Sequence, residues 1–260
     1  MLLLSQRGEA AAQLEAAESQ SRPIAPLTDS FPGIGVDDAY EIQLVNIRRK
    51  LAAGDQIRGH KVGLSSVVMQ QMMGVDEPDY GHLLSSMELD ENVPVDLSQY
   101  CYPRVEVEIG FVLGADLPGE ECTEYDVLAA TERVVPALEL IDSRIRDWRI
   151  TIADTIADNA SSAGYAIGEG APVDGIDLTM IDASLFRGDE VVAAGRSDAV
   201  LGNPATSVAW LARKVAPYGV RLRAGHLVLP GSCTRAIDVH PGARFTAKFS
   251  ELGAVSLSFV

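Results

Sequence analysis

Hydrophobic positions recur at helical spacing in the first part of the chain. Residues 4–20 are rich in Ala, Glu and Gln and predict a helix, whereas the prolines and the glycine of residues 22–33 predict an irregular connection. Apolar residues then return every three or four positions over 40–51, between a candidate N-cap at Asp37 and a candidate terminator at Gly54. The pattern therefore predicts a second, amphipathic helix.

A methionine-rich segment follows this helical region. Ser65 or Ser66 is a candidate cap for a short third helix that ends at Gly74. Methionines at helical spacing fill hydrophobic cores more often than they bind ligands. We therefore expect three side chains of this segment to be buried: Met69, Met72 and Met73.

The period changes from helix to strand later in the chain. From Tyr102 onward, apolar residues alternate with Glu106, Glu108 and Gly110, which is the two-residue period of a β-strand. Further strand-like runs cover residues 135–141, 165–167, 183–187, 191–195, 226–229, 245–249 and 254–259. A helix is predicted to interrupt them at Asn203, a good N-cap that is followed by proline.

These patterns together predict an α+β fold. Residues 1–60 are expected to form its helical N-terminal region, and residues 61–260 a β-rich catalytic domain. The length suits a single domain, so we expect the two parts to make one structural unit.

The charge of the chain limits its partners. Its formal net charge is -16 at pH 7, and an acidic surface repels both a phosphate backbone and an anionic bilayer. We therefore expect no nucleic acid and no membrane as a partner. A carboxylate ligand would need a bound cation, or a local lysine or arginine, to be held by such a protein.

Cysteine usage and the first residues favour a cytoplasmic protein. Cys101, Cys122 and Cys233 are far apart and odd in number, which indicates neither a disulfide framework nor a zinc knuckle. The apolar start of the chain turns polar by Ser5, so it is too short for the apolar core of a signal peptide or for a membrane span.

Glutamates stand inside two apolar strands. Glu106 and Glu108 point to one face of their strand, with roughly 6.5–7 Å between them along the chain. If the pair is buried, it needs a cation or a shared proton, because two desolvated carboxylates repel each other. The alternative is a solvent-facing edge with two ordinary glutamates.

The second of these strands carries Glu139 among the apolar residues 136–141. A half-exposed strand is one interpretation, but the apolar run makes full exposure of Glu139 less natural. If Glu139 converges with Glu106 and Glu108, three oxygen ligands suit Mg²⁺ or Mn²⁺ rather than zinc, for which the sequence offers no His or Cys spacing.

Several separated motifs occur here in an order known from one family. They are KVGLS at 61–65, DEPDYG at 76–81, Glu106 with Glu108, PALE at 136–139, DNASS at 158–162, VLGNP at 200–204 and GAVS at 253–256. This series resembles the 2-hydroxypenta-2,4-dienoate (2-keto-4-pentenoate) hydratases of the fumarylacetoacetase-like superfamily. The likeness runs from about residue 23 to the C-terminus.

The resemblance implies a fold, a cofactor and partners. It implies a curled, barrel-like mixed sheet, as in the C-terminal domain of fumarylacetoacetase, and Mg²⁺ or Mn²⁺ held by Glu106, Glu108 and Glu139. It implies a homo-oligomer that associates with other enzymes of its pathway. That pathway would be the meta-cleavage degradation of aromatic compounds or steroids, and the substrate a small 2-oxo or 2-hydroxydienoic acid.

The resemblance also leaves alternative activities open. The 4-oxalocrotonate decarboxylases share most motifs, but they usually have an apolar residue where this chain has Asp79, and the 145–148 neighbourhood also resembles the hydratases. Acylpyruvate hydrolases are more distant because of the long helical region before Lys61. A noncatalytic binding subunit would retain the fold without the activity, but the presence of all three acidic ligands disfavours it.

Proton transfer is assigned by the resemblance to Lys61 and Asp79. A partly desolvated Lys61 would bind the substrate carboxylate or titrate nearer neutrality, although the local pattern alone favours a surface lysine at a helix-to-strand junction. The local pattern around Asp79 is that of an ordinary turn aspartate.

Weaker assignments concern the serines and histidines. Ser161, in a segment that also reads as a plain polar turn, is assigned to substrate binding. Residues 229–232 resemble a loop that offers backbone N–H groups to the substrate. His60 and His82 are expected to be structural, because isolated histidines more often are.

Overall fold

Helices build the N-terminal region and also connect some of the strands further along the chain. The computed structural model describes the backbone of residues 1–260 and every side chain except those of Val67 and Met72. The helices are α1 (Leu4–Ser19), α2 (Leu27–Ser30), α3 (Val36–Ala52), α4 (Val67–Met73), α5 (Glu124–Ala130), α6 (Ile152–Ala157) and α7 (Pro204–Val215). In the part of the chain described, every helix is too short or too polar to traverse a lipid bilayer.

One buried acid links α1 to the start of α3. Asp38 accepts hydrogen bonds from Arg7 and from the backbone N–H of Gly35, which is the N-cap of α3. The predicted cap, Asp37, is therefore wrong by two positions, because the carboxylate that closes the first turn belongs to the third helical residue. The helix itself is confirmed.

Two sheets form the rest of the chain. Their strands are β1 (Ile57–Gly63), β2 (Asp79–Leu84), β3 (Arg104–Leu113), β4 (Thr131–Ile141), β5 (Ser162–Ile167), β6 (Asp182–Arg187), β7 (Glu190–Arg196), β8 (Leu227–Leu229), β9 (Ile237–Asp238), β10 (Arg244–Phe249) and β11 (Gly253–Ser258). The larger sheet has the order β2-β1-β8-β3-β4-β5, with β9 beside β3, and the smaller one has the order β11-β10-β6-β7. The strand segments predicted from residue 102 onward are confirmed.

The larger sheet is mixed and strongly curled. β1 and β8 are parallel, whereas the other pairs are antiparallel. Lys61 of β1 lies 3.4 Å from Glu139 of β4, although β8 and β3 stand between these strands in the sheet order. Only a sheet that bends back on itself brings them into contact, so the predicted curled, barrel-like sheet is confirmed.

The two faces of β3 have different surroundings. Its odd-numbered residues over 105–111 are buried in the main hydrophobic core together with residues of the smaller sheet such as Phe245. Glu106 and Glu108 therefore project from the opposite, concave face of the larger sheet, as strand alternation requires.

Two strands that the sequence pattern does not reveal carry predicted site residues. Lys61 lies in the middle of β1 and Asp79 begins β2, and only 3% and 2% of their surfaces are exposed. The local predictions of a surface lysine at a junction and of a turn aspartate are wrong. The predicted boundary at residue 60 falls within β1.

The short helix α4 connects β1 to β2. The hydroxyl of Ser66 accepts a hydrogen bond from the backbone N–H of Met69, and Gly74 ends the helix with a φ of 68°. Both predicted boundaries are therefore confirmed. The prediction of a buried methionine row is wrong for Met69, which is 45% exposed, because α4 lies at the surface. The side chain of Met72 lies outside the described residues.

Candidate active site

Three glutamates meet on the concave face of the larger sheet. Glu106 on β3 stands directly opposite Glu139 on β4, and Glu108 follows two residues along β3. One carboxylate oxygen from each of the three lies within 4.8 Å of the others. Glu108 and Glu139 are fully buried and Glu106 is half-buried. The structure thus brings the three predicted metal ligands together.

The three glutamates lie close enough together for a nearby positive charge to stabilise their ionised forms. Burial, reinforced by the neighbouring carboxylates, raises the pKa of Glu108 well above its usual range; burial likewise raises the pKa of Glu106 to about 7, although Lys61 partly offsets it. Such a cluster is stabilised when a cation neutralises it.

One oxygen of each buried carboxylate is anchored and the other is not. The N–H of Gly231 donates to Oε2 of Glu108 at 2.7 Å, and the hydroxyl of Ser162 donates to Oε1 of Glu139 at 2.9 Å. Oε1 of Glu108 and Oε2 of Glu139 have no hydrogen-bond partner among the described residues. This all-oxygen donor set, in which Oε1 of Glu108 is unpaired among the described residues and Oε2 of Glu139 has only the ion pair with Lys61, fits a hard divalent cation.

Lys61 approaches the cluster from β1. Its ammonium donates to the backbone oxygen of Ala160 at 3.0 Å and lies 3.4 Å from Oε2 of Glu139. Burial alone would lower the pKa of Lys61, but Glu139 and the other carboxylates raise it above its usual value. The neighbouring carboxylates thus favour the charged form of Lys61.

Asp79 completes the site from β2. It lies opposite Gly63 in the strand register, and its Oδ1 has no hydrogen-bond partner in the described part of the chain. Burial raises the pKa of its carboxyl, Lys61 offsets part of that rise, and the hydroxyl of Thr155 lies beside it. Asp79 is thus a buried acid within reach of a protonated lysine.

Gly63 leaves room for both groups. A Cβ at this position would lie 2.2 Å from Oδ1 of Asp79 and 3.5 Å from Nζ of Lys61. We expect Gly63→Ala to lower kcat by about 10- to 100-fold, because small displacements of catalytic groups have effects of that size. Steady-state kinetics alongside Gly8→Ala, where a Cβ meets nothing within 4 Å, test this. Unchanged kcat in Gly63→Ala would contradict the position given to Asp79.

The adjacent residues Ser161 and Ser162 contact different partners near the site. The predicted substrate-binding residue, Ser161, has its hydroxyl 3.3 Å from that of Thr155, whereas Ser162 bonds to Glu139. The contact of Ser162 was missed, since only the shared motif pointed to either serine. The N–H of Gly231, in the loop expected to face the substrate, is instead used by Glu108.

The histidines lie on the other side of β1 and β2. His60 and His82 are paired in register, with ring centroids 4.8 Å apart, and alternate with the site-facing Lys61. Burial lowers the pKa of His82 to about 4 and that of His60 well below its usual value, so both are neutral at pH 7. Neither reaches the carboxylate cluster, in line with their exclusion from the predicted catalytic set.

Known proteins resemble the chain over nearly its full length. No family model matches it. It is 46% identical over 256 residues to the 2-keto-4-pentenoate hydratase of Paraburkholderia xenovorans strain LB400, covering 98% of this chain and 95% of that relative. The 4-oxalocrotonate decarboxylase from Pseudomonas putida G7, complexed with magnesium and adipate, matches it with a TM-score of 0.97 at 36% identity, over 100% of this chain and 99% of that one.

A more distant likeness concerns the fold alone. The fumarylpyruvate hydrolase from Pseudomonas aeruginosa, in complex with Mn²⁺ and pyruvate, matches with a TM-score of 0.61 at 19% identity, over 78% of this chain and 89% of that one. It shows that the chain shares the curled-sheet fold of that hydrolase. The family within this fold follows from the near-complete alignment with the Paraburkholderia protein. At that identity and coverage, the chain belongs to the 2-keto-4-pentenoate hydratase family.

Proposed function

We propose that this chain is a hydro-lyase that adds water to 2-hydroxypenta-2,4-dienoate, or a close analogue, and forms a 4-hydroxy-2-oxo acid. The observation that carries the proposal is the buried cluster of three glutamates with a protonated lysine and an aspartate at its edge. In a member of this family, such a cluster would hold a divalent cation, and that cation together with Lys61 would suit an α-keto acid whose own charge is negative.

The carboxylates are proposed to hold the cofactor. Glu106, Glu108 and Glu139 would bind Mg²⁺ or Mn²⁺ through one carboxylate oxygen each, among them Oε1 of Glu108, which has no hydrogen-bond partner among the described residues. When bound, the ion supplies Lewis-acid stabilisation of enolate charge beside the substrate carboxylate. Gly231 and Ser162 keep the other oxygens of Glu108 and Glu139 in place, which fixes how the ligands are presented.

The atoms of the reaction balance with one water. Ketonisation moves the hydroxyl proton of the dienol to C5 and gives a 2-oxo-3-enoate. Water then adds its hydroxyl at C4 while C3 takes a proton, which gives 4-hydroxy-2-oxopentanoate from the five-carbon substrate.

Lys61 and Asp79 are proposed to serve these steps. The protonated Lys61 donates a hydrogen bond to the carboxylate of the substrate and stabilises the negative charge that develops next to it. Asp79, with a raised pKa and a free Oδ1, exchanges a proton with carbon or orients the attacking water. Ser161, whose hydroxyl contacts Thr155 near Asp79, is proposed to add a substrate contact there.

Incubation with the dienol tests the activity directly. With Mg²⁺ or Mn²⁺ present, the ultraviolet absorption of 2-hydroxypenta-2,4-dienoate should decay and 4-hydroxy-2-oxopentanoate should appear without release of carbon dioxide. A chelator should stop the decay. Persistence of the dienol at saturating metal would contradict the proposal, and a panel of substrates with longer tails would then give the preferred chain length.

Decarboxylation is the second candidate because the fold matches a 4-oxalocrotonate decarboxylase over the whole chain. Release of carbon dioxide from 4-oxalocrotonate at a rate above that of dienol hydration would favour it. Asp79 favours the hydratase, since the resemblance places an apolar residue there in the decarboxylases. We further propose a homo-oligomer that acts in the meta-cleavage breakdown of aromatic compounds or steroids.

A further inference from the structure

An unusual backbone segment joins α6 to β5. Asn159, Ala160 and Ser161 have φ values of 54°, 50° and 58°. Non-glycine residues rarely adopt this left-handed region, and consecutive ones persist only where the surroundings hold them. We call residues 159–162 the positioning turn.

The side-chain amide of Asn159 fastens the turn to β2. Its Oδ1 accepts the backbone N–H of His82 at 2.8 Å, and its Nδ2 donates to the backbone oxygen of His82 at 2.9 Å. The backbones also touch, because a Cβ on Gly81 would lie 2.3 Å from the backbone oxygen of Asn159. The side-chain amide of asparagine can donate and accept hydrogen bonds at the same time, and asparagine also tolerates a left-handed backbone.

The same turn contacts the site on its other side. The backbone oxygen of Ala160 accepts the ammonium of Lys61, and the hydroxyl of Ser162 donates to Glu139. β2, to which the turn is fastened, begins with Asp79. A shift of the turn would therefore move Lys61 and Glu139 relative to Asp79.

We propose that Asn159 is a positioning residue, whose clamp on His82 holds Lys61 and Glu139 in register with Asp79. It acts through the turn and does not touch the substrate. The catalytic part of this inference rests on the proposed function, whereas its effect on Glu139 is measurable without any substrate.

Two variants at this position separate the clamp from the backbone. Asn159→Gly keeps the left-handed backbone and removes both hydrogen bonds, and Asn159→Asp keeps the acceptor but loses the donor. We expect Asn159→Gly to lower kcat and to weaken Mn²⁺ binding by about 10- to 100-fold each, the usual effect of removing support from a metal ligand. Asn159→Asp sets a carboxylate oxygen against the backbone oxygen of His82, so it should also lower kcat and Mn²⁺ affinity. Asn92→Gly, at an exposed turn, should match the wild type.

A double-mutant cycle on Mn²⁺ affinity, read by electron paramagnetic resonance, decides whether Asn159 acts through the turn. If it does, adding Ser162→Ala to Asn159→Gly should weaken binding by less than the product of the single effects. Fully multiplicative effects, or Mn²⁺ affinity and kcat within about threefold of the wild type in both Asn159 variants, would overturn the proposal. Thermal unfolding confirms that the variants are folded at the assay temperature. If Asn159→Gly is unfolded there, Asn159→Asp takes its place in the double-mutant cycle. A wild type that binds Mn²⁺ but leaves the dienol intact would refute the proposed function and leave this cycle valid.

Discussion

Glu106→Gln is expected to abolish metal-dependent turnover while the protein stays folded. The amide is a poorer ligand for a hard cation, and it relieves repulsion among buried carboxylates, so the binding of metal falls without loss of fold. We expect Mn²⁺ affinity to drop by more than about 100-fold, beyond the usual effect of changing an outer hydrogen bond to a ligand. Isothermal titration with Mn²⁺, together with dienol decay, measures both effects.

The matched control for this change is Glu121→Gln. Glu121 is exposed and lies away from the cluster, so its loss of charge should leave metal binding and turnover as they are in the wild type. Full activity in Glu106→Gln would show that Glu106 is not a ligand. Equal losses in both variants would point to net charge rather than to coordination.

Lys61→Met is expected to lower kcat by about 10²- to 10³-fold, the range typical of removing one preorganised donor that stabilises developing negative charge. Methionine keeps the length and the apolar stem but removes the ammonium that lies against Glu139 and Ala160. Lys61→Arg should not restore the rate, because a planar guanidinium does not replace a compact ammonium in a tight buried contact. Steady-state kinetics at saturating Mg²⁺ give the result.

Lys50→Met provides the comparison for this variant. Lys50 pairs with Glu18 at the surface, so its replacement should leave kcat within about threefold of the wild type, as expected for surface pairs of small energetic value. If Lys61→Met retained the wild-type kcat, Lys61 would be a structural partner of Glu139 and nothing more.

Part of the site follows from the sequence because strand alternation is a local property. The period of two over β3 places Glu106 and Glu108 on one face, and the apolar run around Glu139 indicates burial. What the pattern does not give is the register that sets Glu139 opposite Glu106. Register depends on contacts between strands, so the resemblance was needed to join the three residues into one site.

The strands that carry Lys61 and Asp79 do not show in the sequence pattern, and the reason is physical. β1 contains Gly59 and Gly63, which weaken any strand pattern. Both glycines are required by close approaches, since a Cβ on Gly59 would lie 1.7 Å from the backbone oxygen of Leu227. The residues that obscure the strand are the ones that let β8 and Asp79 pack against it.

The choice between adjacent serines was also beyond the pattern. A regular strand or helix would fix which of Ser161 and Ser162 faces the site, but the positioning turn is left-handed and follows neither period. Only the folded backbone shows that Ser162 reaches Glu139 and Ser161 reaches Thr155.

Anomalous X-ray scattering at the manganese absorption edge, from crystals grown with Mn²⁺, tests the central claim most directly. The account predicts one anomalous peak bonded to an oxygen of each of Glu106, Glu108 and Glu139. A fully bound ion at another place, or crystals of the active enzyme with no peak among these three carboxylates, would contradict it.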